Sequence, residues 1–217
     1  MQEIRKGFDL HTDNQHKFGL PSRLIAKVFL FRIIFGGSAP GFARDPDFDE
    51  CKFSVKDWEA VVEKFYRKYK GIYDWHQRLI KEATTTKQLK IPTGRAWNFS
   101  LVKNYRGELE WPITLIKNYP VQGLEADLMM LTRVSLFNRI KHDKEVLMIN
   151  SVHDSILIDC PDSKVDWVCE TISSVFRDVP KNFEKLWKVP FNLPYRGEIQ
   201  VGKDWKNMKD VTGYICG

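Results

Sequence analysis

A chain of 217 residues, 43% hydrophobic and 29% charged, is long enough to bury a sizeable core and too apolar to stay disordered. Its 34 basic residues against 28 acidic ones leave a net charge of +6 and a pI near 9.0, which favours a polyanionic partner. The longest apolar run, Ile25 to Gly37, is broken by Lys27 and Arg32 and is too short to span a bilayer, so no membrane partner is expected.

The first ten residues, MQEIRKGFDL, hold no signal-peptide core. Cys51, Cys160, Cys169 and Cys216 form no C-x-x-C pair and have no His at ligand spacing, so they read as thiols of a reducing compartment. The expected location is the cytoplasm, that of the host if the chain is phage-encoded.

In chain order, the segment RLIAKVFLFRIIFGG comes first. Arg23, Lys27, Phe31 and Phe35 recur every four residues, so on a helix two cations and two rings share one face. Like charges at this spacing repel by a few tenths of a kcal/mol, a cost that makes sense if an anion sits between them. A cationic end followed by flat rings suits a nucleoside triphosphate. The segment is also apolar nearly all round, and a buried helix with snorkelling cations would share that pattern.

Gly36 to Gly41 ends this helix, and Arg44 to Cys51 reads as a polar, acidic, solvated connection. Ser54 and Asp57 resemble a capping box opening a helix with Trp58, Val61, Val62, Phe65 and Tyr69 along one side. After Gly71 a second stripe follows in Ile72, Trp75, Leu79 and Ile80. Gln88 to Leu101 reads as extended chain turned at Pro92-Thr93-Gly94.

A long amphipathic helix is expected from about Ile113 to His142, distorted near Pro120 and Gly123. Val146–Ile149 and Ile156–Ile158 flank Asn150–Ser155 as a β-hairpin carrying His153 and Asp154. A carboxylate at such a bend is placed where Mg²⁺ could reach it, while the plain alternative is a turn Asp bonding its own backbone. A metal phosphohydrolase needs further His and Asp ligands, and His11, His16, His76 and His142 show no such pattern. Ser163 to Phe176 reads as a helix with Val165, Val168, Ile172 and Val175 inward, and Glu198–Val201 as a late strand. The whole order predicts an α+β fold.

Six segments, taken together and in order, carry a resemblance: Asp9-Leu-His-Thr12, the Arg23/Lys27/Phe31/Phe35-Gly36 helix, Pro92-Thr-Gly-Arg95, Asn118-Tyr-Pro-Val-Gln-Gly123 with Ala126-Asp127, Val152-His-Asp154, and Val201-Gly-Lys-Asp-Trp205. They resemble the C-terminal part of family A DNA polymerases, the class of bacterial DNA polymerase I and many phage replicases. The resemblance implies a helical fingers lobe over 1–112, with a short extended turn near 88–101. It implies a palm portion over 113–217, with a long helix, the hairpin, a further helix and a closing strand.

By the same resemblance, Arg23 and Lys27 would hold the triphosphate, Lys27 acting in catalysis by neutralising the leaving pyrophosphate. Phe31 would pack on the incoming nucleotide, and Phe35 would stack where the templating base enters. Arg95, Asn118, Gln122 and His153 would touch DNA, and Asp154 would be catalytic as a ligand of two Mg²⁺ ions. The implied partners are primer-template DNA and dNTPs.

The chain departs from the family pattern in places. Phe35 stands where Tyr is usual, Thr114 where an Arg is usual, and Ser155 where Glu is usual. No D-x-S-x-x-E (motif A) precedes Asp9, so a fragment, or one half of a split enzyme, is implied. A second polypeptide would then bring motif A and the thumb. The alternative is a non-catalytic nucleic-acid-binding remnant, and negligible primer extension by the chain alone is expected.

Overall fold

The computed structural model describes residues 9–104 and 106–212. The first eight residues and Cys216 lie outside the described residues. Two compact units divide at Gly123/Leu124, inside the long helix.

In the unit Met1–Gly123, α1 (Leu10–Phe18), α2 (Arg23–Ile34) and the short α3 (Ala39–Phe42) precede a 3-10 turn at Pro46–Cys51. Helices α4 (Val55–Lys68) and α5 (Lys70–Thr86) follow. The capping box forms as expected: Ser54 Oγ accepts from the Asp57 amide at 3.3 Å, and Asp57 Oδ2 accepts from the Ser54 amide at 2.9 Å. The break between α4 and α5 falls at Tyr69, and Gly71 lies within α5.

The core beneath α2 is aromatic. Phe29, fully buried, lies 5.3–5.9 Å from the ring centroids of Phe18, Phe42, Trp58 and Phe65. Such ring pairs add about 0.5–1.5 kcal/mol each beyond the area they bury. The acidic connection is not merely solvated. Arg32, on the flank of α2, is paired with Asp45 and Asp47 and lies 5.3 Å over the Phe48 ring.

The expected stripe of α5 is correct for Leu79 and Ile80, which pack with Ala83, Leu89, Phe99 and Ile116. The most deeply buried side chains of α5, though, are His76 and Ala83. Strands β1 (Gln88–Lys90) and β2 (Ala96–Asn98) pair antiparallel around the predicted turn, where Gly94 has φ 93°. A further small ribbon, β3 (Val102–Lys103) with β4 (Leu109–Glu110), was not expected from the sequence.

Helix α6 runs unbroken from Ile113 to Ile140. Pro120 sits inside it, and its missing N–H leaves the Ile116 carbonyl without its usual helical donor.

In the unit Leu124–Gly217, β5 (Leu147–Val152) and β6 (Ser155–Asp159) form the expected hairpin, with an irregularity between Met148 and Asn150. Leu136 and Ile140 from α6 join Val168, Val175 and Val179 from α7 (Val165–Trp187) in one core, against which Met148, Ile156 and Ile158 pack. Helix α7 continues well past the expected end at Phe176, because its apolar stripe continues through Val179 and Phe183, and their burial outweighs the backbone hydrogen bond lost at Pro180. The late strand is shorter than expected, β7 (Gln200–Val201), and pairs with β8 (Lys209–Asp210). Helices and small antiparallel sheets together make the α+β architecture that the element order predicts.

Candidate nucleotide and nucleic-acid site

Ser22 starts α2, its hydroxyl accepting from the Ile25 amide at 3.2 Å. Ile25, Ala26, Phe29, Leu30 and Ile33 then face the aromatic core. That packing fixes the rotation of the helix and leaves Arg23, Lys27 and Phe31 exposed, with Phe35 half-buried one turn on. Apolar residues all round therefore do not mean burial all round: Leu24 is 66% exposed. The Phe31 and Phe35 ring centroids are 6.4 Å apart and tilted by 30°.

Of the two cations, Lys27 has no carboxylate partner among the described residues, whereas Arg23 has one. Arg23 Nε donates to Asp9 Oδ2 at 2.9 Å. Asp9 also caps α1, accepting from the His11 and Thr12 amides and from the Thr12 hydroxyl. The Arg23 guanidinium and the Thr12 bonds hold its carboxyl well below the usual range.

A residue not singled out from the sequence joins this face. The His11 ring lies 6.3 Å from Phe31, and its Nδ1 is buried without a partner. Burial, then the nearby Arg23 charge, pushes its pKa down. A lone His in D-L-H-T carries no periodic signal, so only the packing of α1 on α2 reveals it.

The start of α6 carries the next group. Gly36 has φ 92°, and a β-carbon there would stand 3.0 Å from Thr114 Cα and 3.3 Å from Lys117 Cδ. Any larger residue would be strained in backbone and push α6 away. Gly123 plays a similar part without unusual backbone: its β-carbon would collide with the Trp97 ring at 2.4 Å and stand 3.0 Å from Arg95 Cδ. Arg95, at the end of the β1–β2 turn, is thereby seated against α6 close to Gln122, which is exposed. Asn118, one turn before Gln122, is half-buried, and its Oδ1 has no hydrogen-bond partner among the described residues.

His153 and Asp154 belong to the second unit and form the two-residue turn between β5 and β6, with Val152 paired to Ser155. His153 has φ 49°, and the left-handed region costs a non-glycine residue roughly 1–2 kcal/mol. Asp154 is exposed and makes no hydrogen bond or ion pair among the described residues. The turn's side-chain bond is made by Ser155, whose hydroxyl donates to the Val152 carbonyl at 2.9 Å. The turn therefore does not use the Asp154 carboxylate to hold itself together.

Among the described residues no three His, Cys, Asp or Glu side chains come together as a metal site. Asp154 alone does not complete the pair of carboxylates that clamps two divalent ions. Cys51, Cys160 and Cys169 are unbridged, and burial pushes each thiol pKa up. No helix among the described residues is long and apolar enough to cross a membrane.

The comparisons place the fold. A model of DNA polymerase family A matches residues 1–207, and the chain belongs to that family. It is 28% identical over 215 residues to the thermostable DNA polymerase I of Thermus filiformis, covering 95% of this chain and 24% of that protein. Against DNA polymerase I of Aquifex aeolicus (strain VF5) it is 27% identical over 216 residues, covering 94% of this chain and 35% of the other. The POL domain of Pol1 from M. smegmatis, in complex with DNA primer-template and dNTP, superposes with a TM-score of 0.72 at 17% identity. That match covers 90% of this chain and 34% of the solved one. The chain thus spans about a quarter to a third of the length of these relatives.

Proposed function

We propose that this chain is the nucleotide- and template-holding part of a template-directed DNA polymerase that transfers a nucleotidyl group from a dNTP to a primer 3′-hydroxyl. In that reaction the 3′ oxygen bonds to the α-phosphorus, and the bond to pyrophosphate breaks. The exposed row on α2 carries the reading. Lys27, without a carboxylate partner among the described residues, and Arg23, borrowed from Asp9, neutralise the triphosphate and the charge gathering on pyrophosphate. Phe31 and, beside it, His11 bound the sugar and base, while Phe35 forms the floor for the template base.

Arg95, Asn118 and Gln122 receive the duplex. Acceptors in the minor groove are alike for correctly formed pairs, so amides aimed there check pairing geometry rather than sequence. His153 lies beside Asp154 at the exposed tip of a two-residue turn, a placement that suits contact with the primer end. The family implies Mg²⁺, and Asp154 is the carboxylate of this chain placed to bind it. The donor set present does not fit a complete two-ion centre, so the remaining carboxylate must come from residues other than those described. A second polypeptide carrying motif A and the thumb is one way to supply it.

The lone carboxylate also favours a second reading, a nucleic-acid-binding remnant that no longer catalyses. Titrating the chain with dNTP, and then supplying a family A polypeptide that carries motif A and the thumb, separates the two. Lys27→Ala is expected to weaken dNTP binding about tenfold, the scale of one lost charge-assisted contact. Unchanged binding would reduce Lys27 to a surface cation. Primer extension on complementation supports the polymerase, and DNA binding without extension supports the remnant.

A further inference from the structure

Lys117 stands on α6 one residue before Asn118, and it is the one Lys or Arg in the stretch 113–123. Its aliphatic stem lies against Gly36, where a β-carbon would stand 3.3 Å from Lys117 Cδ. The side chain is half-buried, and burial pushes its ammonium below the ordinary lysine range. Within the described residues neither carboxylate nor hydrogen-bond acceptor meets that ammonium.

A cation drawn partly out of water without a counter-charge costs free energy. The surroundings do not supply one. His76, fully buried nearby, donates Nε2–H to the Ile34 carbonyl at 3.0 Å and accepts from the Tyr66 hydroxyl at Nδ1, 3.2 Å away. Burial, and then the Lys117 charge, pushes its pKa down to about 4, which keeps the ring neutral near pH 7. Thr114, on the same face one turn back, is also neutral and leans its hydroxyl toward the Gly36 carbonyl at 3.5 Å. The stem is pinned, and the ammonium has no counter-charge among the described residues.

We infer that Lys117 binds a backbone phosphate of the nucleic acid whose base meets Phe35. The inference rests on the nucleic-acid reading above and adds a residue to it. A triphosphate held by Lys27 is the wrong source for this phosphate. Seven helical residues, roughly 10 Å of rise, separate Lys27 from Ile34, and Gly36 lies beyond that. A strand, by contrast, offers phosphates at successive positions, each neutralised by a cation with release of counterions.

The test measures binding of a labelled primer-template duplex by the whole chain across a KCl series, with dNTP and inorganic phosphate titrated in parallel. Lys117→Met keeps the stem over Gly36 and removes the charge. It is expected to weaken DNA binding about threefold to tenfold and to reduce the slope of log affinity against log salt by about 0.9. Lys117→Arg should retain the wild-type slope, and neither variant should alter dNTP or phosphate affinity. Lys117→Gln replaces the methionine variant if that one melts early. An unchanged slope in the neutral variant overturns the inference while leaving the nucleic-acid reading intact. Loss of dNTP affinity in its place reassigns Lys117 to the triphosphate and also overturns it. If the wild-type chain binds no duplex at all, both fall together.

Discussion

The cationic row of α2 and the carboxylate of the β5–β6 turn are built in opposite ways. Arg23, Lys27 and Phe31 ride on a helix whose other face is locked into an aromatic core around Phe29 and Trp58. Asp154 sits at the tip of a two-stranded ribbon, on a turn whose first residue is in the left-handed region, with no side chain among the described residues holding the carboxylate. The first arrangement has its charges positioned by packing alone. The second offers a single exposed acid group without a partner among the described residues. A site of the first kind loses function when its scaffold is loosened, and one of the second kind when its one functional atom set is changed.

Three experiments press on that contrast. Asp154→Asn, in the chain complemented with the remainder of a family A polymerase, should lower single-turnover extension at least ten-thousandfold, about 5 kcal/mol of barrier. Duplex affinity should hardly move, and normal turnover would remove Asp154 from the chemistry. Phe29→Ala empties the centre of the ring cluster and should cost about 3–5 kcal/mol in denaturant unfolding of the first unit. It should take dNTP binding with it, and retained dNTP affinity in the folded variant would show that the row does not depend on the core.

The third experiment uses acid. His76 is held at about 4, well below the ordinary value of 6.5, first by burial and then by Lys117, so it is neutral when folded. The unfolded chain takes up the proton first, so stability is full above pH 6.5 and declines as pH falls from 6.5 towards 4. The loss reaches roughly 3 kcal/mol. Melting temperatures of the wild type and His76→Gln across pH 4–7 check this, since the glutamine variant should show a flatter profile. An identical slope in both would place the acid sensitivity elsewhere.

Much of this was legible in the residues. A four-residue repeat of Arg, Lys, Phe and Phe in a run of twelve residues stacks on one helix face, and two short aliphatic runs around His153-Asp154 suit a hairpin. Hence α2, the hairpin and the α+β order stand as the pattern predicts. Helix ends were less legible: α7 outran its predicted end because Val179 found the core around Leu136 and Ile140 and Phe183 was buried against Trp187 and Phe191, and burial of distant partners is not written locally.

Sequence alone determined which side chains repeat on which face, because periodicity is a property of the backbone geometry. It did not determine which face would be covered. The aromatic core, assembled from α1 through α4, decided that Arg23, Lys27 and Phe31 remain in water while Phe29 does not. Close approach decided the rest: Gly36 admits Thr114 and Lys117, Gly123 admits Trp97, and His11 turns toward Phe31. Those contacts join residues far apart along the chain, and only packing in three dimensions can choose among them.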